Sequence, residues 1–112
     1  MSRTLHGTLE VKVGERTLVL TPTLKAVRAI ESRFGGLRAA SEGLRAVGVN
    51  AVAIVLAAGA GLEGEELEEL AEEVWQHGAA DLVPPATKFL YALYNPRGGD
   101  MGKEQPAKAS AP

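Results

Sequence analysis

Leu9, Val11 and Val13 alternate with Thr8, Glu10 and Lys12, a period of two that predicts a strand with one face in the core and the other in water. A two-residue turn at Gly14 and Glu15, with Gly at its first central position, pairs Val13 with Arg16, Val11 with Leu18 and Leu9 with Leu20. A slip of one residue would set Thr17 and Val19 against the apolar face, so pattern and turn chemistry select one register. The predicted hairpin covers residues 7–21. An isolated hairpin is marginal in water, and this one must rest on helices.

Beyond it the period changes from two to between three and four. Leu24, Val27, Ile30 and Phe34 predict an amphipathic helix over about 22–34, with Thr21 as N-cap, Pro22 as first helical residue and Gly35 as C-cap. Leu37, Ala40 and Leu44 suggest a second helix over 37–46, weakened by Gly43 and ended near Gly48. Asn50 is the expected cap of a third, over 50–60, in which residues 51–60 carry no charge; a run apolar on every side predicts the central buried helix. The apolar run 51–62 falls short of the roughly 20 residues a membrane span requires. Leu67, Leu70, Ala71 and Val74 form the stripe of a fourth helix over 64–77. Pro84 and Pro85 fit the first turn of a fifth over 84–94, whose apolar side is Phe89, Leu90, Leu93 and Tyr94. Residues 96–112 hold Met101 as their one sizeable apolar side chain and are expected to form a disordered tail. The expected fold class is therefore α+β, mostly α: one globular domain over 1–95, an N-terminal β-hairpin followed by about five helices packed around the central apolar one.

Composition sets the bounds of this picture. A chain of 112 residues, 46% apolar, suits a single core. With no cysteine, disulfides, thiolate metal sites and a cysteine nucleophile are excluded. Residues 1–20 lack the basic start and apolar run of a secretory signal, which makes the cytoplasm the expected address. The net charge of −2 conceals a division along the chain: residues 1–62 hold eight Arg/Lys against four Glu, residues 63–81 eight acids and no base, and residues 82–112 four bases against two acids. Such segregation reads either as a solvated helix face or as a surface that steers a partner.

Catalytic signatures are absent. His6 and His77 lie far apart; Glu73 and His77 share an i,i+4 face, but further ligands at matched spacing are missing. Gly59, Gly61 and Gly64 follow no strand and precede no Lys-Ser/Thr, so they read as a helix break rather than a phosphate loop. Ser41 and Ser110 have no nucleophile elbow around them. The expectation is a non-enzyme without metal or cofactor. Lys25, Arg28, Arg33, Arg38 and Arg45 make the N-terminal half basic, yet a pI near 5.7 and the acidic fourth helix argue against a DNA-binding domain. Trp75, Tyr91 and Tyr94 fit either core packing, with Trp75 against the last helix, or a partner surface.

The succession of a short polar hairpin, LTPTLKAVRAIESRFGGL, a buried apolar helix, LEGEELEELAEEVW and PPATKFLYALYNP resembles a family of small phage-tail proteins found in gene transfer agents and siphophage-like prophages. Its members resemble tail assembly chaperones and are sometimes labelled tail tube proteins. The resemblance covers roughly residues 7–96 and rests on the order of elements, the Ile30-Glu31 pair before the Phe34-Gly35 helix end, and the Leu-Glu-rich fourth helix. It implies a non-enzymatic role in a bacterial host's cytoplasm, binding tape-measure or tube subunits until the tail polymerises. On that expectation Glu65, Glu69, Glu72 and Glu73 steer basic helical segments of the client, and Trp75 joins the contact. A structural tail or tube component that self-assembles through its hairpin edge is the alternative, and a small helical DNA-binding regulator the second; neither nucleic acid nor membrane is an expected partner.

Overall fold

The alternation in residues 8–20 becomes an antiparallel hairpin in the computed structural model, which describes residues 8–95. Strands β1 (Leu9–Val13) and β2 (Arg16–Leu20) pair Leu9 with Leu20, Val11 with Leu18 and Val13 with Arg16, the register that the turn chemistry selects. Gly14 has φ +65, whereas Glu15 stays at negative φ, the pattern of a turn with only its first central residue left-handed. Val11, Val13, Leu18 and Leu20 are buried, and Glu10, Lys12, Thr17 and Val19 face outward.

Five helices follow: α1 (Leu24–Phe34), α2 (Leu37–Arg45), α3 (Val49–Ala60), α4 (Glu65–His77) and α5 (Ala79–Leu93). The chain is thus α+β and mostly α. Three helix starts differ from expectation. The N-cap of α1 is Thr23, not Thr21: its Oγ1 accepts the Ala26 N–H at 3.0 Å, while the Thr21 N–H donates to the Gly59 carbonyl at 3.0 Å and prolongs β2 onto α3. Pro22 is consequently buried in the link rather than opening the helix. Ala26 and Ile30 face the core, whereas Leu24 falls off the apolar stripe and is 61% exposed. Helix α3 begins one residue early, after Gly48, and Asn50 lies inside it. Helix α5 starts at Ala79, which places Pro84 and Pro85 in its interior. They lack N–H groups for the carbonyls of Ala80 and Asp81, but those two residues are exposed, and burial of Ala79, Leu82 and Ala86 holds the early turns in place. The expected tail at 96–112 and His6 lie outside the described residues.

The core is organised around α3, which packs against α1, α2, α4, α5 and β2. Val52, Val55 and Leu56 sit among Ile30, Leu44, Leu70, Val74, Phe89 and Leu90 in one continuous cluster that also takes in Val13 and Leu20 of the hairpin. Gly59 is a helical residue of α3 rather than part of a break; the break falls at Gly61. A Cβ on Gly59 would lie 2.7 Å from Phe89 Cε2 and 2.9 Å from Leu20 Cβ, so this glycine is where β2, α3 and α5 meet.

Two local features add to the account. Helix α2 ends in a Schellman motif: the Gly48 N–H donates to the Gly43 carbonyl at 3.2 Å and the Val47 N–H to that of Leu44 at 2.8 Å. The left-handed position is filled by Val47, at φ 58, although it is 43% exposed and its β-branched side chain is strained there. At the other end of the chain, the Tyr94 hydroxyl donates to Glu31 Oε2 at 3.0 Å, tying the end of α5 to α1. Burial, and then the hydrogen bond to Glu31 and its charge, push the phenol up to about 12.

Three outcomes are expected. Gly59→Ala lowers unfolding stability in urea by about 1–2 kcal/mol, because the forced contact with Phe89 and Leu20 outweighs the roughly 1 kcal/mol that alanine adds in helix propensity. Val47→Gly raises stability by about 1 kcal/mol by relieving the left-handed strain, and an unchanged urea midpoint would contradict that strain. The unfolded tyrosine loses its proton near 10 and the folded Tyr94 near 12, so its contribution is complete below pH 10 and is lost as pH rises toward 12. The stability difference between wild type and Tyr94→Phe therefore shrinks above pH 10, whereas a constant difference would show that Tyr94 titrates normally.

Candidate interaction face on α4

Helix α4 divides by its own periodicity. Leu70 and Val74 are buried, and Leu67 and Ala71 half-buried, against the core, while Glu65, Glu66, Glu68, Glu69 and Glu72 are exposed on the other side. First-turn acids are favoured by the positive end of the helix, but the i,i+4 pairs Glu65/Glu69 and Glu68/Glu72 repel by a few tenths of a kcal/mol each. Among the described residues no ion pair relieves these exposed acids; Glu72 only accepts an N–H from Gln76 at 3.3 Å.

Glu73 belongs elsewhere. Its Oε1 receives Arg16 Nη1 at 2.9 Å, both side chains being about one third exposed, and one turn later His77 Nδ1 accepts the Gly14 N–H at 3.1 Å. Together the two bonds dock the hairpin turn on the last turns of α4. Glu73 therefore leaves the set of acids without an ion pair among the described residues. The long-range partners were not readable from spacing within α4, because Arg16 and Gly14 lie 57 and 63 positions away. Of the predicted partner residues, Glu69, Glu72 and Glu73 share one shallow concavity with Glu68 and Gln76, and Glu65 lies one turn earlier on the same exposed side.

The reading of Trp75 as a core residue against α5 is overturned. The indole is 65% exposed, on the flank of α4 that helical spacing also gives to Glu68, Ala71 and Glu72. The three aromatic residues singled out by the sequence do not converge: Tyr91 is 53% exposed on α5, and Tyr94 is engaged with Glu31.

A second feature has no counterpart in the sequence reading. Helix α3, expected to be covered on every side, leaves Ile54 and Ala58 half-exposed at the floor of a groove of about 530 Å³. Val19, Leu62 and Leu67 supply further apolar lining, and Lys25, Ala29 and Arg33 of α1 form part of its wall. Lys25 reaches Glu63 at 3.5 Å, but both side chains are largely exposed and such a pair contributes little. The signal for this groove was slight: a helix without charge gives no period from which to tell an open side.

Among the described residues no group of three or more His, Cys, Asp or Glu side chains could hold a metal ion. Ser41 Oγ is buried without a hydrogen-bond partner, so no base stands ready to activate it. No described helix is long and apolar enough to cross a membrane. Comparison of the chain with family models, with curated proteins and with solved structures finds no match in any of the three.

Proposed function

We propose that this chain is a non-enzymatic assembly protein of a phage or gene-transfer-agent tail, a chaperone that holds a basic helical segment of a tape-measure protein or tube subunit in the bacterial cytoplasm until the tail polymerises. The observation that carries this reading is the exposed Trp75 beside the free acids of α4. A large aromatic side chain costs solvation when left in water, and tryptophan is enriched where it anchors a partner. Glu65, Glu69 and Glu72 supply the long-range attraction that raises the encounter rate with a basic helix, and the indole supplies short-range affinity. The resemblance in order of elements, from hairpin to acidic helix, supports the assembly context.

A structural tail or tube subunit is the second reading, supported by a sheet of only two strands, whose outer edges have no further strand to pair with among the described residues. It requires the chain alone to form rings or tubes visible by electron microscopy.

Tagged full chain recovered from cells expressing the accompanying tail genes is expected to bring down a tape-measure or tube protein, identified by mass spectrometry; bait free of tail proteins would refute the chaperone reading. With the recovered client, the Glu65→Lys, Glu69→Lys, Glu72→Lys triple variant is expected to associate at least about tenfold more slowly at low salt and to lose most of its salt dependence. Trp75→Ala keeps the salt slope but weakens affinity by about 2 kcal/mol. An unchanged salt slope in the triple variant would reduce the acidic face to a solubility device.

A further inference from the structure

We propose that Trp75 of one copy seats in the groove between α1, α3 and α4 of a second copy, so that the chain self-associates reversibly through two different surfaces of its own. The groove is not filled by its own molecule's indole: Trp75 is absent from its lining and lies eight residues, or about 12 Å of helix rise, beyond Leu67 at the groove wall. The donor surface is a tryptophan 65% exposed, with Glu68 and Glu72 on the same helical flank. The acceptor is a hollow of about 530 Å³, larger than an indole ring, whose lining sets Ile54, Val19, Leu62 and Leu67 beside the polar Ser32 and Thr23.

Charge selects this occupant. Arg33 and Lys25 stand on the α1 wall, with Glu63 as the acid of the same lining; Arg33 has no ion pair among the described residues, and Lys25 has only the exposed contact with Glu63, which leaves the wall net basic. An incoming α4 flank brings its two carboxylates to that wall as its indole enters the hollow, pairing the basic half of one copy with the acidic helix of another. Each charge set is left without a strong partner in its own molecule, and the contact satisfies both. One aromatic anchor with two ion pairs is a small interface, so the association is weak, with a dissociation constant on the order of 10⁻⁴ M. The contact concerns copies of this chain and stands independently of any tail client, although a client on the acidic face would compete with it.

The chain contains a single tryptophan, so emission excited at the red edge, where tyrosine does not absorb, reports on the surroundings of Trp75, and the groove variant assigns the contact. Full-length protein taken from about 5 μM to about 500 μM, a range that brackets the expected constant, should shift its emission to the blue while its sedimentation coefficient rises above that of a monomer. Ala29→Glu places an acid on the exposed groove wall, one turn before Arg33 in a helix-compatible pair, and should weaken association at least tenfold with emission fixed at the exposed position. Trp75→Ala, at an exposed site, should likewise remain monomeric. Mixing provides the decisive arm: the Trp75→Ala protein is silent and keeps an open groove, so adding it to dilute Ala29→Glu protein should move that protein's emission to the blue and yield a heterodimer. Wild-type emission independent of concentration, an Ala29→Glu variant that shifts as wild type does, or a mixture without a shift would each overturn the proposal. No client takes part in this experiment, so its failure leaves the chaperone reading to its own test.

Discussion

Twelve residues without a charge, Val49–Ala60, cannot stay in water, and the covering of this helix determines where the other elements lie. Its buried side chains Val52, Val55 and Leu56 contribute about 1.5–3 kcal/mol each on removal from water, and α1, α2, α4, α5 and β2 all pack against this one helix. The hairpin, too short to stand by itself, gains its stability through the burial of Val11, Val13, Leu18 and Leu20 and through the Thr21–Gly59 hydrogen bond onto α3. Helix α5 tolerates two interior prolines because Leu82, Ala86, Phe89 and Leu90 are buried in the same core. Gly59 marks the closest approach: strand, central helix and last helix come together at one position that no larger residue can occupy without displacement.

Legibility in the sequence followed the strength of local rules. The hairpin register was readable because alternation and the Gly14 turn specify the same pairing, and a slip would expose an entire apolar face. Four of the five helices were readable from periodicity, and α3 from its uncharged run. Their starts were less so, since Thr21 and Thr23 are equally good caps by composition, and the choice was made by a long-range bond from Thr21 to Gly59 that no local pattern contains. The Pro84-Pro85 pair misled for the same reason. Local propensity reads it as a helix start, and tertiary burial of Ala79 and Leu82 extends the helix through it.

The candidate site divides along similar lines. That α4 has an acidic outer face was visible in the sequence, because a 13-residue helix with a four-residue apolar stripe leaves its glutamates no other place. Which glutamate is free was not visible: Glu73 differs from Glu69 only through Arg16 of the hairpin. Trp75 stood between core and surface because residue type is neutral between them; position on the helix decides, one step past the edge of the stripe formed by Leu67, Leu70, Ala71 and Val74. The open side of α3 had no signature, since an all-apolar helix conceals which of its residues lack cover.

The division of labour within α4 separates the residues that fix the helix from those it leaves exposed. Its buried stripe fixes the helix on the core, and Glu73 with His77 fixes the hairpin turn on the helix, so the scaffold around Trp75 is held from two sides. Holding an indole on a rigid helix reduces the conformational entropy lost when a partner covers it. The free acids contribute nothing to the core and cost some helix stability through mutual repulsion. A face of this composition weakens the isolated helix slightly, so the physical asymmetry of α4 sets the order imposed by its buried stripe and its two bonds to the hairpin against the repulsion along its exposed side.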